Sequence, residues 1–304
     1  VMIVVENLPF ALVDVFAEQP LAGNGLAVFS LERELPAALM LRIAQEMRQY
    51  ETIFLRPGAG ARCFAARIFT TEEELAFAGH PVIGAAAWLH ASVFAECAAV
   101  DLCLELAARE VPVTCRQADG RWTATMNQGT VHFQPSLAAE VRCEIAAALT
   151  LELADLHPEL PLQVVSTGLP YLIVPLRRGL ERARIGTTDF GAVLARLGAA
   201  FVYVLDVEAR EGRSWDNAGR VEDIATGSAV GPAAAYLVAQ GYASPGVTLP
   251  FAQGRFVGRP SHLRACVEAG IDDAWRVAVS GEVCLVGDGQ LRVPRAWCEG
   301  AAGC

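Results

Sequence analysis

The chain has 304 residues, 53% of them apolar, with 24 basic against 34 acidic side chains and a formal charge of -10. That length suits two domains of about 150 residues, each with its own core, and the acidic balance argues against nucleic acid or an anionic membrane as a partner. All the basic residues are arginine; without lysine there can be no Schiff base to a carbonyl substrate, no lysine-anchored pyridoxal phosphate and no phosphate-loop lysine.

The first sixteen residues are rich in Val, Leu and Phe, but Glu6 and Asp14 interrupt them and the first cation is Arg33. That pattern does not read as a signal peptide, and no apolar run reaches the length of a membrane span, so a soluble cytoplasmic protein is expected. Nine cysteines (Cys63, Cys97, Cys103, Cys115, Cys143, Cys266, Cys284, Cys298 and Cys304) form an odd set with no CxxC, and the five histidines (His80, His90, His132, His157 and His262) show no HExxH spacing. Reduced thiols, no disulfide framework and no metal are the expectation.

In chain order, residues 36–47 read as an amphipathic helix opened by proline, with Leu39, Ile43 and Met47 on one stripe. A short strand is expected over 52–55. Residues 81–94 are Ala-rich and apolar nearly all round, which in a soluble chain means a helix enclosed by other elements. Residues 111–116 and 122–126 flank Asp119-Gly120, a hairpin signal. Strands over 162–166 and 171–175 surround Thr167-Gly168, a helix is expected over 189–197, and a strand over 201–207. Residues 228–239 form a second enclosed Ala-rich helix. Residues 283–286 and 290–293 flank Asp288-Gly289 and are expected to form another hairpin, so the sheets should be largely antiparallel.

The two enclosed helices match at an offset of 148 residues. Gly79, Val82, Ala85 to Ala87, Trp88 and Leu89 fall on Gly227, Val230, Ala233 to Ala235, Tyr236 and Leu237. The duplication predicts an α+β fold of two pseudo-symmetric domains, each a rolled, mostly antiparallel sheet around a central buried helix. Each helix follows a small-residue loop, AGH or ATGS, that leaves the first amides without intrahelical partners. With the domains face to face, both helix starts would point into one cleft and hold a carboxylate or oxyanion, with His80 and Ser228 at the ligand.

The segments DVFAEQPLAGNGLAVF, RIAQEMRQYETIFL, RIFTTEEELAFAGHPVIGAAAWL, STGLPYLIVPL, VEDIATGSAVGPAAAYL and QGRFVGRPS, in this order, resemble the PhzF-like (phenazine biosynthesis) family of the diaminopimelate-epimerase fold. The resemblance runs from about Ala11 to the DG pair near the C-terminus. It implies one domain over 1–127, to which residues from about 285 to 304 return, a second over 128–284, a cofactor-free isomerase site between them, and a homodimer. Carried over by position, Glu51 matches the general acid/base, His80 the active-site histidine, and Asp223 and Ser228 its acidic and hydroxyl partners. Gly79 and Gly227 match loop positions whose amides contact substrate, and Asn24 and Thr226 fall beside the ligand in the same motifs.

Related epimerases and proline racemases place two cysteines just before those glycines as a two-base pair; here Ala78 and Thr226 stand there. A lone Glu51 can lift a proton from one carbon and return it to another on the same face, which moves double bonds instead of inverting a centre. The family's namesake reaction, isomerisation of dihydro-3-hydroxyanthranilate, is of this kind, and a small anionic cyclic substrate of specialised metabolism is expected. Phe54 and Phe77 are expected as apolar walls raising the pKa of Glu51. Tyr50, Gly25, Thr71 and Ile224 depart from the family pattern, and the alternatives for them are a changed specificity or a lost activity. The alternatives are an amino-acid epimerase or racemase using Glu51 with His80 or Asp223, and a non-catalytic protein that binds small carboxylates. A serine hydrolase is disfavoured because TGSAV around Ser228 is not GxSxG.

Overall fold

A computed structural model of the chain describes residues 4–107, 109–270 and 274–299. The chain divides into two compact units, residues 1–126 with 281–304 and residues 127–280. The first holds β1 (Val5–Val15), β2 (Asn24–Ser30), α1 (Ala37–Met47), β3 (Glu51–Pro57), β4 (Cys63–Phe69), β5 (Glu74–Leu75), α2 (Gly79–Val93), β6 (Ala99–Glu105) and β7 (Glu110–Ala118). From β8 (Arg121–Thr130) the chain enters the second unit, with β9 (His132–Phe133), α3 (Ala139–Ala148), β10 (Gln163–Ser166), β11 (Pro170–Leu176), α4 (Phe190–Arg196), β12 (Phe201–Asp206) and β13 (Glu211–Arg213). There follow α5 (Gly227–Ala239), β14 (Thr248–Gln253), β15 (Ser261–Ala269), the long β16 (Trp275–Pro294), which leads back to the first unit, and α6 (Arg295–Cys298).

In the first unit the strands run in the order β1-β2-β3-β4-β6-β7-β8, with β5 beside β4, and residues 283–294 of β16 pair with the free side of β1. In the second the order is β16-β15-β14-β13-β12-β11-β10-β9. Most pairings are antiparallel. The parallel ones among the described residues are β2–β3, β4–β6, β11–β12 and β13–β14, and a helix (α1, α2, α4 and α5 in turn) crosses over between the partners of each, as parallel neighbours require.

The two Ala-rich helices are the interior of their units. Eleven residues of α2 are buried, against β1, β2, β3, β6 and β7. Eleven of α5 are buried, against β10, β11, β12 and β15. Side chains no larger than Ala on several faces let strands close around the backbone. At Gly84 an added Cβ would lie 2.6 Å from Leu26 Cδ2, and at Gly231 1.9 Å from Gln128 Oε1. The mixed α+β architecture of rolled sheets around buried helices is the one expected from the sequence.

The hairpin at Asp119-Gly120 is present: both residues have positive φ (51° and 74°), and Ala118 pairs with Arg121 across a two-residue turn. The hairpin expected at Asp288-Gly289 is not. Those residues lie inside β16, paired with Ala11 and Phe10 of β1. The Phe10 ring covers Gly289, within 2.8 Å of where a Cβ would sit, so this glycine serves close packing along a continuous strand instead of a turn. No helix among the described residues is long and apolar enough to cross a membrane.

Candidate active site

In the first unit, α1 ends at Met47 and Arg48 turns the chain in the left-handed conformation (φ 52°). Glu51 then opens β3 opposite Leu26 of β2. A glutamate at an element boundary is ordinarily solvated, but Glu51 is only 6% exposed. Strand alternation places Glu51 and Ile53 on the face towards α2, and Thr52 and Phe54 on the other. Phe54 accordingly packs into a separate cluster with Phe29, Phe69, Met40 and Ile43 under α1. It is therefore not a wall of the Glu51 site, contrary to the sequence expectation, because the two residues are an odd number of positions apart. Phe77 carries the guanidinium of Arg109 4.3 Å above its ring.

His80, the second residue of α2, is 4% exposed and brings Nε2 to 3.1 Å from Glu51 Oε2. Its Nδ1 lies 3.4 Å from Nδ2 of Asn24, the fully buried first residue of β2. Burial pushes the His80 pKa down to about 3, against a smaller opposing pull from a hydrogen bond with the Gly25 backbone, so the ring is neutral at neutral pH. A neutral imidazole has one N–H and one lone pair. With Nδ1 accepting from the Asn24 amide, Nε2 carries the proton and faces the Glu51 carboxyl, close to it but without a formed hydrogen bond. Gly79 opens α2 after Ala78, with no side-chain cap. Pro81 sits at the third helical position, where its missing N–H costs no helical bond.

In the second unit the residues singled out from the sequence gather at the start of α5. Asp223 Oδ2 accepts a 2.7 Å hydrogen bond from the Thr226 hydroxyl, and Oδ1 a 3.3 Å bond from the Ala225 amide. Gln253, at the end of β14 and 1% exposed, braces the loop. Its Oε1 accepts from the Thr226 amide, and its Nε2 donates to the Thr226 hydroxyl and the Asp223 carbonyl. Thr226, expected at the ligand, is thus engaged in holding its own loop. The Gly227 amide, expected to lack an intrahelical partner, is bonded instead to the Ala225 carbonyl ahead of α5 at 3.2 Å, and its own carbonyl accepts from Gln128 Nε2. Ser228 stays half-buried, its Oγ 2.7 Å from the Tyr171 hydroxyl. That partner is a phenol and not an imidazole, which does not make the serine a hydrolase nucleophile.

The structure therefore groups Glu51, His80, Asn24 and Gly79 in one unit, and Asp223, Thr226, Gly227 and Ser228 in the other. Sequence reasoning passed over Tyr171, Gln253 and Arg109. The first two stand within quoted motifs, STGLPY and directly at QGR, where their residue types could have marked them. Arg109 follows an unpatterned stretch and had no signal.

The profile of the family described as "Phenazine biosynthesis-like protein" matches residues 13–289. The chain belongs to that PhzF-like family. It is 32% identical to the trans-2,3-dihydro-3-hydroxyanthranilate isomerase of Pseudomonas fluorescens, over 93% of this chain and 98% of that one. A predicted epimerase of Pseudomonas aeruginosa of solved structure is 47% identical, with a TM-score of 0.86 and coverage of 93% and 99%. A hydroxyproline epimerase of Agrobacterium vitis, solved with trans-4-hydroxy-L-proline, shares the fold at 16% identity, with a TM-score of 0.66 and coverage of 95% and 92%. This PhzF-like protein has the diaminopimelate-epimerase-like fold and is an enzyme of the isomerase class.

Proposed function

We propose that this PhzF-like enzyme moves a proton between two carbons of a small cyclic carboxylate, with Glu51 as the single general acid/base and no cofactor. The supporting observation is the 3.1 Å contact between a buried carboxyl and a neutral imidazole at the start of α2. As a carboxylate, Glu51 takes the proton from an acidic C–H. As an acid it delivers that proton, or the solvent hydron that replaces it by exchange on the carboxyl, to a second carbon across the shifted double bond, leaving the enzyme unchanged. His80 stays neutral with its Nε2–H directed at the Glu51 carboxylate, and Asn24 fixes its ring. Ser228 and Tyr171 are assigned to recognising polar substituents of the ligand, and Asp223 and Gln253 to holding the loop that presents Ser228. The substrate class extends from the relatives named trans-2,3-dihydro-3-hydroxyanthranilate isomerase.

Inversion by Glu51 together with His80 fits the geometry less well. Two bases that approach one carbon from opposite faces have that carbon between them, whereas these atoms touch. Ala78 and Thr226 also stand where a two-thiol pair would be. The test is incubation with dihydro-3-hydroxyanthranilate and other cyclic carboxylates in heavy water, comparing the native protein with Glu51→Gln. Deuterium should enter the product at one migrating position without inversion, and Glu51→Gln should lower the rate by roughly 10²–10⁴-fold. Equal exchange by both proteins removes Glu51 from the mechanism, and label entering with inversion replaces isomerisation by epimerisation.

A further inference from the structure

Away from this site, two cysteines meet on the outer face of the first unit. Cys63 opens β4 and Cys103 lies in β6, and the parallel pairing sets the two directly opposite. On β4 Ala66 and Ile68 are buried, and on β6 so are Val100, Leu102 and Leu104. Alternation therefore sends both cysteine side chains to the opposite, partly exposed side. The two thiols therefore stand side by side across the strand pair, and Cys103 Sγ is also 3.9 Å from Glu110 Oε2. Neighbouring strands lie about 4.8 Å apart, inside the range of Cα separations that a disulfide spans.

We propose that Cys63 and Cys103 are a reversible dithiol site, oxidised to an intramolecular disulfide by a small disulfide such as oxidised glutathione. The Cys63 thiolate displaces one glutathione thiolate to form a mixed disulfide. Cys103 then loses its proton to solvent, attacks the Cys63 sulfur and expels the second glutathione. Two electrons and two protons pass from the protein dithiol to glutathione disulfide, which leaves as two thiols. Burial, with Cys63, Glu110 and Glu105 alongside, holds the Cys103 pKa above the ordinary thiol value, so the resolving step quickens as pH rises. The bond ties together the two ends of the segment that contains β5 and α2, and with them His80. It thereby restricts the unfolded chain without touching Glu51, which sits at the other end of the sheet pairing. The proposal is independent of the proton-shift reading.

The experiment treats the full chain with oxidised glutathione, blocks the remaining thiols under denaturing conditions and maps peptides by mass. The expected result is a peptide joining Cys63 to Cys103, reversed by dithiothreitol, with Tm raised by about 5 °C or more over the reduced protein. Cys63→Ser and Cys103→Ser should each take one glutathione on the remaining thiol and show no rise. Separate glutathione adducts on both cysteines of the native chain, a link to any other cysteine, or a linked protein melting with the reduced one would overturn the proposal.

Discussion

The two units are the same scaffold carrying different chemistry. An offset of 148 residues relates the starts of α2 and α5, at Gly79 and Gly227, and also the strand register: Arg56 pairs with Ala65 in the first unit and Val204 with Arg213 in the second. At that offset the carboxyl of Glu51 corresponds to Ala199 and the imidazole of His80 to Ser228. The backbone thus supplies two equivalent helix starts, but only the first unit has an acid and a base at these positions. The duplicated fold carries a carboxyl and an imidazole at this place in one unit only.

The helix interiors differ too, and the largest expected effect breaks the comparison there. Ala in place of Gly in a helix gains about 1 kcal/mol by propensity, so any net loss measures crowding. In Gly231→Ala the new methyl would meet Gln128 Oε1, an atom held by the Thr167 hydroxyl while Nε2 of the same side chain is bonded to the Gly227 carbonyl. Displacing it forfeits buried hydrogen bonds, and a net loss of about 3 kcal/mol is expected in urea unfolding. In Gly84→Ala the obstacles are the methyl ends of Leu26 and Val15, which yield more cheaply, and the net loss should be about 1 kcal/mol. Equal losses would mean that the two helices are enclosed alike.

A second asymmetry is in the response to acid. The His80 pKa is depressed to about 3 in the folded protein, against about 6.5 in an unfolded chain. The unfolded state therefore binds the extra proton first. The stability held by neutral His80 is complete above about pH 6.5 and is lost as pH falls towards the folded value, at up to about 1.4 kcal/mol per pH unit. Unfolding free energy should drop by about 2 kcal/mol between pH 7 and 5 from this residue, and His80→Asn should remove that part of the slope. An unchanged slope in the variant would show that the ring is already charged or solvated.

The corresponding contact in the second unit, Ser228 with Tyr171, joins two hydroxyls instead of a carboxyl and an imidazole. Ser228→Ala and Tyr171→Phe should each cost about 1 kcal/mol, with the double variant costing about 1 kcal/mol less than their sum at pH 7 and pH 5 alike. Additive losses would mean that the 2.7 Å contact contributes nothing to folding.

How far these features could be read in advance depended on whether their cause was local. The two buried helices were legible because enclosure demands small side chains on every face, and the Asp119-Gly120 turn because positive φ at both residues has a strong residue preference. The same dipeptide at Asp288-Gly289 misled, since its glycine answers to the Phe10 ring across the sheet, a neighbour 279 positions away in the chain. An enclosed Glu51 was expected from its motif and is observed, but which side chains close over it was not legible, because a boundary position says nothing about that. Phe54 was misplaced by disregarding the period of two along β3. Gln253 became a brace only when β14 came beside the loop at Asp223.

The smallest effect concerns a pair of strand positions where the units diverge without any catalytic reason on either side. Leu55 of β3 corresponds at the same offset to Tyr203 of β12, and both are wholly or almost wholly buried. The Tyr203 hydroxyl has no hydrogen-bond partner among the described residues and rests against Gly212, where an added Cβ would lie 2.0 Å from it. Burial raises its pKa, with Asp223 adding to the shift, so the phenol stays neutral. A buried donor without a partner costs about 1–3 kcal/mol relative to one that is satisfied, whereas deleting it leaves an apolar ring in an apolar place. Tyr203→Phe should therefore leave the fold intact and raise the urea midpoint by an amount equivalent to as much as about 1 kcal/mol. A loss of similar size would mean that the hydroxyl holds a water molecule or a ligand group, and would make this position a polar site that the first unit, with Leu55, cannot match.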